Sequence, residues 1–396
     1  MKLLFIHHGS RVRKSKEGNY YIDTSFNNNI WKRYRSYCDE LTAIIRMVPG
    51  EFEEAELSKK YNKIDLSLVN LILVEDVYKP KKNFLNLKLR NKVKEKIKAA
   101  INSCDKVIIR SAGDFYTEAA LKFCKKFKKE YLIEVVSLQF ESFWYHGITG
   151  KLLALPTEIK FEKAVKNAPY VLYVTNETLQ KRYPNYNRTI ACSDVEIDHK
   201  EKLEDIMKYR KEKMEKQKGK IILGTAANLN GQFKGQQDVV KALYYLKKMG
   251  NNRFEYILIG SGDDSKLRSK IKKYKMEDTI KILGTLPHDK VNEWYKSVDL
   301  YIQPSYLEGL CRSILEAMSQ GCAIICTNVG GNRELINNDY LYRRKKIKSL
   351  LKKLLEINND EILEQSEINY KNSWNYDQTV LDDKRDKFYK EFTEKV

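Results

Sequence analysis

The chain has 396 residues, 42% of them hydrophobic, which allows two domains with separate cores and excludes a disordered chain. Its formal net charge of +20 rests on 56 Lys and only 17 Arg among frequent Asn, Ile and Tyr, the bias of an A/T-rich genome. No basic stripe interleaved with stacking aromatics accompanies that charge, which argues against nucleic acid and leaves an anionic membrane surface as a compatible partner.

The opening run Met1-Lys-Leu-Leu-Phe-Ile-His7-His8 is too short for a signal peptide. No run approaches the ~20 apolar residues that cross a bilayer. The seven Cys residues show no CxxC pair and no metal-ligand spacing, so a reducing cytoplasm is expected. Any membrane contact would then be peripheral, at the inner face.

Residues 3–6 read as a strand, followed by a polar loop over 7–20 and a helix over 28–39. Further strands are expected at 41–46, 68–74, 106–110, 131–137 and 170–174, with a helix over 93–101, giving a parallel α/β domain over 1–198. The stretch 140–165 is rich in aromatic and apolar residues, among them Phe143, Trp144, Leu152 and Leu155. It reads as a core helix pair, or alternatively as an acceptor cleft or a surface that meets lipid.

Residues 199–219 are densely charged and read as an interdomain linker, helical in spacing. A second alternating series runs over 220–371, with strands at 220–226, 254–259, 280–283, 300–303 and 323–327. That is a complete doubly wound domain. The tail 372–396 reads as a charged helix anchored by Trp374 and Tyr376 that packs back on the first domain.

Two loops of the second domain carry the chemistry. After the strand ending near Ala226, Ala227-Asn-Leu-Asn-Gly231-Gln-Phe-Lys234-Gly235 leads into a helix. Glycines with a Lys before a helix N-terminus suit a diphosphate. After Gln303, Pro304-Ser-Tyr-Leu-Glu308-Gly-Leu-Cys-Arg-Ser-Ile-Leu-Glu316 places two carboxylates across a loop-to-helix junction. Gly309 permits close backbone approach there.

Gly260-Ser-Gly262 follows another strand but lacks the third glycine and the acidic partner of a nicotinamide site, so it reads as a turn. Gly330-Gly331 is a further tight turn, structural in the first instance.

Glu308-x7-Glu316 within PSYLEGLCRSILEAMSQG, followed by GGNRELI, resembles the donor-site signature of retaining glycosyltransferases of family 4. The resemblance is strong over 220–336 and weaker over the N-terminal half. It implies the GT-B fold, in which two Rossmann-like doubly wound domains face across a cleft, the first binding acceptor and the second the nucleotide sugar. It implies that Lys234 meets the donor diphosphate, that Glu308 lies beside the transferred sugar and that Glu316 bonds the ribose. Backbone at Gly309 and Leu310 would meet phosphate or sugar, with Gly260 and Gly284 lining the donor site.

Asn228 stands where the family commonly has an Arg, and Arg312 is a candidate to compensate. On the acceptor side, Gly9 and Gly18 resemble the family's glycine loop, and Trp144 is a further candidate. His146 would match a histidine beside the reacting sugar, although a His among aromatics is more often structural.

The implied reaction is retaining transfer from a nucleoside-diphosphate sugar to a glycan or polyprenyl-linked acceptor in surface polysaccharide synthesis. No metal and no cofactor are expected. A sugar-nucleotide epimerase and a catalytically impaired GT-B subunit that binds a partner protein are the alternatives.

Overall fold

The computed structural model describes residues 1–23, 26–145, 147–217, 219–230 and 232–394. The chain divides into two compact units. Met1–Val174, Gln180–Ala191 and Arg385–Val396 form the first, and Thr175–Leu179 and Cys192–Lys384 form the second.

The first unit is built on strands β1 (Lys2–Ser15), β2 (Tyr20–Ile22), β3 (Glu40–Phe52), β4 (Asn62–Lys63), β5 (Asn70–Glu75), β6 (Lys106–Arg110), β7 (Glu130–Val135), β8 (Tyr170–Tyr173) and β9 (Arg188–Ala191). Parallel pairing gives the order β5-β3-β1-β6-β7-β8-β9, with β2 added antiparallel to the far half of β1 and β4 to β2. The central strands are apolar along their length: Val107, Ile108, Ile109, Leu132 and Ile133 are all fully buried. That pattern belongs to a parallel sheet covered on both faces.

The expected loop over residues 7–20 is a strand for most of its length, because β1 continues to Ser15. Its charges mislead a reading by composition. Ser10, Val12 and Ser15 turn inward while Arg13 stacks 3.9 Å over the Tyr61 ring and pairs with Asp23. Gly9 therefore lies inside a strand, where a Cβ would come within 2.6 Å of the His7 ring. Gly18 sits in the exposed turn into β2, with a φ of 88°. Neither belongs to a glycine loop of the expected kind.

The second unit contains β10 (Ile221–Ala226), β11 (Phe254–Ile259), β12 (Ile280–Gly284), β13 (Leu300–Gln303), β14 (Ala323–Thr327) and β15 (Leu341–Tyr342). All pair in parallel, in the order β12-β11-β10-β13-β14-β15. The order reverses between β10 and β13, which makes their carboxyl ends the topological switch point. The helix Gln236–Lys248 covers this sheet with Val239, Val240, Leu243 and Leu246, one apolar stripe of a 3.6-residue period.

The stretch expected as a linker carries the helix Leu203–Lys216, which is part of the second unit. Its buried Arg210 donates to the carbonyls of Val298 (2.9 Å) and Gln320 (2.6 Å), which terminate neighbouring elements. Arg210, together with Lys213, whose Nζ donates to Ser297 O at 2.6 Å, thus ties a charged helix to the fold; Lys218 lies outside the described residues. The final helix Gln378–Glu394 begins in the second unit, and its residues from Arg385 belong to the first. There Phe392 is fully buried against the Tyr170 ring. Trp374 stacks on His199 at 4.2 Å, within the second unit.

Candidate functional site

At the switch point of the second unit, the loop after β10 and the loop after β13 close on one another. The backbone forces this approach. Gly235 has a φ of 76°, and a Cβ on it would lie 1.9 Å from the carbonyl oxygen of Pro304. Tyr306 N–H donates to the carbonyl of Phe233 at 2.7 Å, which locks the two loops together.

The crossing brings Lys234 Nζ to 2.7 Å from Glu308 Oε1. Glu308 also accepts from Gln303 Nε2 at 3.2 Å. Gln303 is fully buried at the end of β13, and its Oε1 accepts from Tyr301 at 2.8 Å and from Ser313 at 3.3 Å. A buried network of this kind fixes the carboxylate's position. Burial works to lower the pKa of Lys234, but the Glu308 carboxylate outweighs it and holds the ammonium above its usual range, against the opposing charge of Arg312. Lys234 therefore keeps its charge at neutral pH.

Glu316 lies one turn into the helix Arg312–Ser319 and accepts from the Tyr295 hydroxyl at 2.9 Å. Burial, and then the Glu316 charge, push that hydroxyl well above its usual pKa, so it stays a donor. Cys311 caps this helix, its thiol pushed up to about 12 by burial and the Glu308 charge, and it is therefore unreactive at neutral pH. Among the described residues, neither this helix nor the one after Gly235 has a side-chain cap at its N-terminus. Two such helix starts at one sheet edge offer N–H groups and positive dipole ends to an anion.

Gly330 and Gly331 support this arrangement from behind. A Cβ on Gly330 would meet the Glu308 carbonyl at 1.9 Å, and Gly331 N–H donates to Gly309 O at 2.6 Å. Asn228 shapes its own loop: its Oδ1 accepts from Asn230 N–H at 3.0 Å. Gly260 presses on that loop, with a Cβ position 1.9 Å from Ala227 O, and its N–H donates to Gly284 O at 2.8 Å. Gly231 and His146 lie outside the described residues. Trp144 is in the first unit, half-exposed beside Lys151.

Residues 207–374, which contain Lys234, Glu308 and Glu316, match the family described as glycosyl transferases group 1. Protein CapJ of Staphylococcus aureus is 32% identical over 355 residues, covering 89% of this chain and 85% of that protein. The chain belongs to the group 1 glycosyl transferases. The amylovoran biosynthesis glycosyltransferase AmsK of Erwinia amylovora is 29% identical to this glycosyl transferase over 113 residues, 27% of the chain and 28% of the relative. Sucrose-phosphate synthase from Thermosynechococcus elongatus aligns over 100% of both chains with a TM-score of 0.68 at 13% identity, a likeness in fold. That fold is GT-B, with two Rossmann-like units.

The first unit of this glycosyl transferase has its own reversal of strand order, between β1 and β6. His8 Nδ1 stands there 2.8 Å from Asp114 Oδ2. The two atoms are within ion-pair distance without an in-line hydrogen bond between them. Burial would raise the Asp114 pKa, but His8, Thr117 and the N–H of Tyr116 more than offset it, so the carboxyl stays below its usual range. Sequence reading passed over this pair because His8 and Asp114 are over a hundred positions apart. The only local sign was a His at the end of an apolar run.

Proposed function

We propose that the protein moves a sugar, with retention and without a metal, from a nucleoside diphosphate to a glycan or polyprenyl-linked acceptor in surface polysaccharide synthesis. The observation that carries this reading is the Lys234–Glu308 contact of 2.7 Å at the switch point of the second unit. The similarity to AmsK, named for amylovoran biosynthesis, supports the polysaccharide setting.

Breaking the bond from the anomeric carbon to the diphosphate leaves the electron pair on phosphate oxygen. Lys234 and the two helix N-termini meet that charge, and such fixed electrostatics are commonly the largest catalytic contribution. Arg312 adds a second cation in place of the one missing at Asn228. Glu308, held by Lys234 and Gln303, faces the sugar that becomes electron-poor. Glu316, fixed by Tyr295, takes the ribose hydroxyls. In a same-face displacement the acceptor hydroxyl gives its proton to the departing phosphate. On the acceptor side, His8 beside Asp114 is the imidazole at the corresponding point of the first unit.

Radiolabelled nucleotide sugars incubated with a lipid-linked acceptor test the reading. Transfer to acceptor, unchanged by chelators, is the expected result. An altered sugar without transfer would instead identify an epimerase, and no reaction with any donor would favour a non-catalytic subunit.

A further inference from the structure

The helix Gly147–Lys166 has two apolar faces, where a surface helix ordinarily has one. Ala154, Phe161 and Val165 are buried against the first unit. On the opposite side, Ile148, Leu152, Leu155 and Ile159 are 80%, 73%, 59% and 57% exposed. Their spacing of four, three and four residues puts them in one stripe along the helix, about 16 Å long. Trp144, 42% exposed on the preceding short helix, extends the stripe at its N-terminal end. Exposed apolar residues scattered singly need no explanation, but a stripe of five does.

The charges beside the stripe say what covers it. Lys151 lies over the Trp144 ring at 5.4 Å, and Lys163 and Lys166 occupy the last turn just beyond Ile159. The helix has two acids. Glu158 is buried in a pair with Arg182, which leaves Glu162 as the exposed one. Apolar side chains in line, Trp at the margin and Lys on the flanks match the layering of a bilayer interface, with acyl chains below and anionic headgroups above. A second copy of the chain suits the stripe poorly. A two-fold contact would press the same lysines together on a protein that already carries a net charge of +20.

We propose that this stripe seats the first unit on an anionic lipid surface, the helix lying in the interface plane with Leu152, Leu155 and Ile159 among the acyl chains. No helix among the described residues is long and apolar enough to cross a membrane, so the attachment is by one face. The inference stands independently of the sugar-transfer reading, because binding is measured without nucleotide or acceptor.

The experiment is sedimentation of the full chain with vesicles of phosphatidylcholine alone, or of equal parts phosphatidylcholine and phosphatidylglycerol. Wild type should bind the mixed vesicles, with a blue shift in tryptophan emission that Trp144→Phe removes. The variant Leu152→Ser/Leu155→Ser/Ile159→Ser should keep its melting temperature, since the positions are exposed, and bind about a hundredfold more weakly. Lys151→Glu/Lys163→Glu/Lys166→Glu should lose the preference for anionic over neutral vesicles. Equal vesicle binding by wild type and the serine variant would overturn the proposal. So would failure of wild type to bind, or a wild-type dimer that the serine substitutions dissociate without changing vesicle binding.

Discussion

Lys234 is paired with a carboxylate, and that pairing decides how it can serve a phosphate. Its pKa is raised by Glu308 against the effect of burial. A lysine raised in the fold keeps its charge at every pH below the ordinary value and loses it only as pH rises through the raised one. Transfer should therefore show no lysine-derived basic limb below about pH 10. Lys234→Ala should cut kcat by on the order of a hundredfold to a thousandfold, the usual cost of losing one charge-stabilising donor. Glu316→Gln keeps a partner for the Tyr295 hydroxyl but loses the anion that would hold the ribose. It should raise the donor KM by roughly tenfold to a hundredfold, measured against an unchanged melting temperature. The placement of Lys234, Glu308 and Glu316 beyond strand ends of the second unit was legible in the sequence, because it depends on offsets from those strands, a local property. The buried support was not: Gln303 reads as an ordinary strand terminus until Tyr301 and Ser313 are seen to hold its amide oxygen.

Among the elements, the proposed donor site rests on the reversal of strand order between β10 and β13 and on the glycines that let their loops meet. Gly235→Ala combines a positive φ with a Cβ 1.9 Å from Pro304 O, so one loop must move. The left-handed conformation alone costs about 1–2 kcal/mol. A fall in melting temperature of roughly 4 °C or more is expected, with weakened donor binding, because Lys234 shifts with its loop. The strand and helix alternation of the second unit was readable from hydrophobic runs that depend only on neighbours in sequence. β1 was readable only in its first part. Past Ile6 its pattern is alternation of Arg with Val and Ser, and composition outweighed period in marking residues 7–20 as a loop. The helix Leu203–Lys216 was legible as a helix but not as part of the second unit. Its charge suggested a linker, while the contact that incorporates it, Arg210 on two carbonyls, is tertiary.

For the whole molecule, two units of independent core share one chain that passes between them more than once. The residues from Arg385 belong to the first unit, where Phe392 is buried without exposure. Phe392→Ala should cost that unit about 3–5 kcal/mol. Limited proteolysis should then cut within residues 1–174 sooner, with cleavage within 192–384 unchanged. The switch point of the second unit is proposed to hold a nucleoside-diphosphate sugar through Lys234. Thermal melting of wild type and Lys234→Ala across a panel of nucleotide sugars tests it most directly. At a hundredfold excess over Kd, a bound donor adds about 2.7 kcal/mol to stability. At least one donor should raise the wild-type melting temperature while leaving Lys234→Ala unshifted at the same concentration. A panel that stabilises neither protein, or a donor that stabilises both equally, would contradict the account.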